Sequence, residues 1–367
     1  AFEMVEKLLP HFSLSDLMIR DDKKEFALLS VADNGFLKYL STGTWDEILK
    51  KPEVMTEQGA VGRFVLNIVA KDRSNNQLGA IPRNVMAALP RKAFFVRDDL
   101  GGFPFHWAHF TGQEDSLPWE RGIFKPQDLL VVAPSKSVAL AHISDREQKM
   151  RAFKMLAPND VGPVGKMLLR FPFETWRVPD ESGETALLQL VRNGSLNRMP
   201  EAGFLNRIEA KDLESGGRYG DSVLYWLAGS QYQTVSGTQV IWNHALDLVD
   251  PEAVSAVRPE TWTARVHAPE NDDLVVSDNT RYALERGDFP LLRIISSGHM
   301  PPPEFEWKAD AYTTQDSSGN DVARELYIHG KFTLDRVHDL ARLGLLDKDK
   351  VPPYAIVDIN KGLKSDE

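Results

Sequence analysis

At 367 residues the chain exceeds what one compact core ordinarily organises, so it reads as two or three domains or as a quasi-linear stack of small units. A formal net charge of -10, from 53 acidic against 43 basic residues, excludes a general nucleic-acid binder and disfavours an anionic membrane surface. Zero cysteines exclude disulfides, thiolate metal sites and a cysteine nucleophile, and no apolar run approaches the roughly 20 residues of a membrane span. The opening AFEMVEKLLP puts Glu3 and Glu6 where a signal peptide would carry a basic start and an apolar core. A cytoplasmic setting is favoured, though no residue fixes the compartment. With Ala rather than Met in first place, the chain is read as trimmed or as the recognition segment of a larger polypeptide.

In chain order, the first periodic element is KEFALLSVADNG, which starts at Lys24, carries Leu28 and Ala32, and closes at Gly35, eleven residues on. A helix start follows at TWDEIL (44–49). The next unit opens at Gly62 with GRFVLNIVA and runs on to QLGAIP. GGFPFHWAHFTG (101–112) again spans eleven residues between glycines, followed by EDSLP and a helix start at KPQDLL (125–130). A weaker copy opens at Lys136. GETALLQLVRNG repeats the pattern from Gly183 to Gly194, with EAKDLE (209–214) after it, and GDSVLYWLAGS restarts it at Gly220, with DPEAVSAV (250–257) after that. A further weak copy, VSDNTRYALERG, is read as ending at Gly287, and GNDVARELYIHG spans Gly319 to Gly330. KFTLDRVHDLARLGLLDK (331–348) is a closing helix with Phe332, Leu334, Val337, Leu340 and Leu345 mostly on one face, and the tail NKGLKSDE is expected to be loose.

The six starts at 24, 62, 101, 136, 183 and 220 are spaced by 35 to 47 residues, which is a repeat signal. Ser, Thr, Asp or Pro before an acidic first turn marks each helix start, so each unit reads as one full helix, a short second helix and a stub. None is long enough to stand alone in water, where about 12 to 15 residues is marginal, so each must bury its apolar face on neighbours. Residues 101–112 also fit the template G-x-T-P-L-H-x-A-x-x-x-G, with Phe103 and Phe105 in the threonine and leucine places and Pro104, His106, Ala108 and Gly112 matching directly.

The arrangement resembles the ankyrin-repeat family in a degenerate form, over residues 14–345. The resemblance implies an all-α repeat solenoid of stacked short helices with irregular insertions: one elongated module over 1–367, with better-matched repeats at 14–230, an irregular insertion at 231–275, and C-terminal repeats with a capping helix at 276–350. It also implies that His106 is a structural histidine tying adjacent loops, a residue the other copies replace with Leu29, Asn67, Ala141, Leu188 or Tyr225.

Two interruptions stand apart. GPVGKM, within 145–180, lacks the first glycine and the Ser or Thr of a phosphate-binding loop, so it is read as a turn before a helix. Residues 232–251 and 261–276, rich in Thr, Val and aromatics, suggest a short strand pair or a long inter-repeat loop.

Catalytic motifs are thin. Only HWAH brings two histidines together, and a rival reading makes His106 and His109, with Glu114 or Asp115, the metal site of a hydrolase or other metal-dependent enzyme on the scaffold. The preferred reading assigns no catalytic residue, metal or cofactor. It makes the chain a scaffold binding another protein through the concave face of the stack, with no nucleic-acid or membrane partner. The place six residues after each start should point outward: Ser30, Ile68, Trp107, His142, Gln189 and Trp226, the alternative being that in an irregular stack the two tryptophans tuck against neighbouring units. From these come the candidate partner-binding residues Trp107, Trp226, Ile68 and Gln189, because large apolar side chains suit the centre of a binding surface, where Trp and Tyr dominate; Arg192 joins them.

Overall fold

The computed structural model describes residues 2–59, 62–72, 77–98, 101–131, 139–140, 143, 146, 150, 155, 162–192, 204–236, 239–267, 278–331 and 333–345. The chain divides into two units, each with its own packing. One comprises Ala1–Ala157 with Gly162–Phe171, the other Pro158–Val161 with Pro172–Glu367, so the division falls inside the 145–180 interruption.

Both units are built from one local device, a four-residue turn whose last residue is left-handed. These residues are Lys24, Gly62 and Gly101 in the first unit and Gly183, Gly220, Gly287 and Gly319 in the second, with φ between 57° and 83°. Glycine adopts this conformation without steric cost, and Lys24 is the exception that bears it. Six of the seven turns are clamped across their ends: the N–H groups of Asp21, Gly59, Asp98, Asp180, Gly217 and Asp316 donate to the carbonyl four residues on at 2.7–2.9 Å, whereas at the Gly287 turn the Asp288 carbonyl accepts from the Val266 N–H at 3.1 Å. Where the first residue is Asp, its carboxylate also accepts the N–H four residues later, at 2.8–3.1 Å. Aspartate favours turns for this reason.

A helix begins three residues after every left-handed residue: Ala27–Asp33, Val65–Lys71 and Pro104–Thr111 in the first unit, and Ala186–Arg192, Val223–Ala228, Pro290–Ser296 and Val322–Ile328 in the second. The residue before each helix solves the start in one of two ways. Ser222 and Asp321 accept an N–H at 3.1 and 2.9 Å, a cap worth about 1 kcal/mol. Phe26, Phe64, Phe103 and Phe289 forgo the cap and are buried instead, each gaining roughly 1.5–3 kcal/mol of apolar burial.

Consecutive first helices pack on one another within each unit. The template leucine places form the core: Leu28, Leu66, Phe105, Leu187, Leu224 and Leu291 are at most 1% exposed. The short helices after them follow, at Thr42–Lys50, Ala210–Leu213 and Pro251–Ser255, whereas KPQDLL forms a 3-10 turn, Pro126–Leu130. The fold is thus an all-helical repeat stack in each unit, with one β-insertion.

The copy read as ending at Gly287 is in the wrong register. Gly287 opens a repeat: GDFPLLRIISSG places Phe289, Pro290 and Leu291 where Phe103, Pro104 and Phe105 stand, and Gly298 (φ 83°) closes it eleven residues later. The helix Asp278–Glu285 precedes that turn. Physically, Pro is pre-organised for the first turn of a helix and Gly for its end, so Gly287-x-x-Pro290 outweighs the Ala283 match.

The strand pair forms: β1 (Gln231–Ser236) runs antiparallel to β2 (Gln239–His244), from Gln231 opposite His244 to Ser236 opposite Gln239. GPVGKM is a turn and a helix, Gly162 preceding Pro163–Leu169. The closing helix spans Leu334–Arg342 with Leu340 buried, while the side chains of Phe332, Leu334 and Val337, and the tail, lie outside the described residues.

Candidate interaction surface

The expected outward place, six after each start, behaves differently in the two units. In the first, Ser30 is exposed and Ile68 and Trp107 are half-buried. The Trp107 indole lies against the turn, so close that a Cβ on Gly102 would collide with its Nε1 edge. The Lys71 ammonium stands 4.9 Å from its ring centroid and is ion-paired to Asp98. The Phe110 ring meets the indole edge-on at 5.6 Å and is 39% exposed. Phe110 escaped the sequence reading because it lies nine residues after the start, one turn beyond the row that was considered.

In the second unit the expectation fails for two residues. Trp226 is buried at 6% exposure, its Nε1–H donating to Asp221 Oδ2 at 2.7 Å. Arg192, also buried, grips two carboxylates: Glu184 at 2.8 and 2.9 Å and Asp221 at 2.9 and 3.1 Å. The Arg293 guanidinium sits 4.3 Å from the Tyr225 ring centroid and 5.6 Å from that of Trp226. Burial by itself would lower the Arg192 pKa, but Glu184 and Asp221 outweigh it and hold the guanidinium above its usual range. Burial likewise works to raise the Glu184 carboxyl, and Arg192 overrides it, so Glu184 lies below the usual carboxylate range. Trp226 and Arg192 are therefore packing and ion-pairing residues, not surface ones. The cause is local: Gly217 has no side chain, and a Cβ there would collide with both Asp221 and Arg192, so the turn closes over the pair. Gln189 is half-buried and donates to Asp180 Oδ2 at 2.8 Å. His142 lies outside the described residues.

The sequence reading also missed a ladder between repeats. In four repeats the residue nine after a start reaches the turn or helix of the next repeat: Asp33 to Arg63 at 2.8 Å, Lys71 to Asp98, Arg192 to Asp221, and Ser296 to Glu325 at 3.1 Å. At three of these places the visible signal is a charge, Asp33, Lys71 or Arg192, facing an opposite charge in or beside the next turn.

His106 and His109 are each 1% exposed. Their rings meet aromatic neighbours, His106 against Phe103 at 5.7 Å and His109 against Phe105 at 4.7 Å. Glu114 and Asp115, the carboxylates nearest in sequence, are ion-paired to Arg146 and Arg170. Among the described residues no group of three or more His, Asp or Glu side chains is placed to hold a metal ion, and no helix is long and apolar enough to cross a membrane.

No family model matches the chain, and no curated protein matches it. Among solved structures it is similar to the ankyrin repeat domain of Bcl-3, described as a unique member of the IkappaB protein family, at 14% identity and a TM-score of 0.37, covering 67% of this chain and 92% of that one. The repeat assignment rests on the turns and helix register above.

Proposed function

We propose that this chain is a protein-binding module rather than an enzyme, and that it binds its partner through the first-helix face of the first unit, at Ile68, Trp107 and Phe110. One observation carries this: two aromatic rings in edge contact reach solvent on a helix backed by a fully buried row, Leu28, Leu66 and Phe105. Rigid aromatic side chains contribute most at interface centres, because they bury much area at little cost in conformational entropy. Gln189, in the second unit, is held to Asp180 and is not part of this face. Trp226 and Arg192 are not part of this face.

A protein partner fits the charges better than a nucleic acid does. The basic groups of the face, Arg63 and Lys71, are already paired with Asp33 and Asp98. The test is capture from native lysate by the wild-type chain and by Ile68→Asp and Phe110→Asp, read by mass spectrometry. Species captured by the wild type and lost from both variants, with the melting temperature held, are the expected result. Captured species indifferent to both substitutions would refute the assignment of the face.

A further inference from the structure

From Ser222 to Leu246 the chain contains no Asp, Glu, Lys or Arg, although these make up 26% of all residues. β1 and β2 lie inside that run, and among the described residues no third strand joins them, so each has an outer edge. The phase of the ladder follows from one bond, the Ala245 N–H donating to Ser230 O at 2.9 Å. Bonded and non-bonded pairs alternate in an antiparallel ladder. Ser230 and Ala245 being bonded, the backbone groups of Gln231, Gln233 and Val235 on β1, and of Val240, Trp242 and His244 on β2, point away from the partner strand.

The two edges are not equivalent. On β2 the outward N–H of His244 is taken by Asp247 Oδ2 at 3.2 Å, and the 3-10 turn Ala245–Leu248 follows at once. That leaves β1. Edge strands are normally guarded by Lys, Pro or a bulge. QYQTVS carries neither residue, and its register is unbroken along all six pairs.

We propose that the outer edge of β1 is a self-association edge, to which a second copy of this chain adds its own β1 antiparallel. The outward residues are centred on Gln233, so a two-fold axis there sets Gln233 against its counterpart and Gln231 against Val235 of the other copy, every outward N–H facing a C=O. Charge selects the place. Two copies of a chain at -10 repel, and this uncharged run lets them meet without opposing carboxylates.

The test is sedimentation velocity across protein concentrations up to the order of 100 μM, the range suited to an edge contact of small area. The wild type should move from the mass of one chain to that of two. Gln233→Pro removes one outward N–H and leaves the bonds to β2, and Gln231→Lys/Val235→Lys lines the edge with like charges. Both should stay monomeric with unchanged circular dichroism, and if the proline variant is misfolded the lysine variant decides. A wild type that is monomeric throughout would overturn the proposal, including the case in which an extended segment of another protein occupies the edge. So would a dimer that persists in the folded lysine variant.

Discussion

Trp107 and Trp226 stand at the same place in their repeats, six residues after a left-handed glycine, yet one reaches solvent and the other does not. Each repeat places a cation nine residues after the preceding start and an aspartate in or just after the intervening turn beside its tryptophan. Around Trp107 the aspartate is Asp98, the first residue of the turn, which holds Lys71 over the outer face of the indole. Around Trp226 it is Asp221, one residue after the turn, which takes both the indole N–H and Arg192. The carboxylate thus stands four positions later in the buried case than in the half-buried one, where it can take the indole N–H as well as the cation.

The comparison is broken most severely at its buried end. Trp226→Ala should cost roughly 3–5 kcal/mol in a denaturant titration, as truncation of a buried tryptophan does, and Trp107→Ala visibly less. Equal losses would mean that the two environments do not differ. Arg192→Ala should cost about 3–5 kcal/mol, because it leaves Glu184 and Asp221 buried without their counter-charge. A replacement by Met that restores much of the loss only together with Glu184→Gln would show that the charge, not the volume, is at stake.

How much of this was legible in the sequence varies by feature. The left-handed residue three places before each first helix is written in the chain, and in four repeats a second left-handed glycine follows eleven residues later, at Gly35, Gly112, Gly298 and Gly330; the shared starts placed Leu187 and Leu224 in the core correctly. The Gly287 repeat was misread because the hairpin insertion stretches the interval from Gly220 and leaves Gly287 closer to Gly319 than any other pair of starts, so period arithmetic fails there. The sequence leaves open for both tryptophans whether they face out or tuck against neighbouring repeats, and periodicity does not decide it, since the Trp226 partner Asp221 stands just after the turn and is shared with Arg192 of the preceding repeat. HWAH resembles a ligand pair by composition alone, and its neighbours Glu114 and Asp115 are committed to Arg146 and Arg170.

Smaller effects sharpen the picture. Leu187→Ala should cost roughly 2–5 kcal/mol, with the lower end expected if adjacent repeats relax into the space. Two probes followed together, far-UV circular dichroism and tryptophan fluorescence, would reveal separate transitions if the two units unfold independently. Phe110→Asp should change stability by about 1 kcal/mol or less.

The smallest effect is a pH dependence at His244. Its Nε2 faces Ala228 O at 2.8 Å and its Nδ1 accepts the Leu246 N–H at 3.2 Å, an arrangement that suits the neutral ring, and burial lowers its pKa. A depressed folded pKa contributes stability that is present above the unfolded value, about 6.5, and lost as pH falls through the folded one. Stability of the wild type measured against His244→Gln should therefore narrow on acidification. A gap that widens at low pH would reverse the sign and remove this account of the ring.

The most direct test is oxidative footprinting of the native chain, with modification rates at individual side chains read by mass spectrometry. Trp107 and Phe110 should be modified readily in the folded protein, while Trp226 should react only at the rate of global unfolding. Modification of Trp226 in the native state as fast as that of Trp107 would contradict the distinction between an open face in the first unit and an ion-locked one in the second.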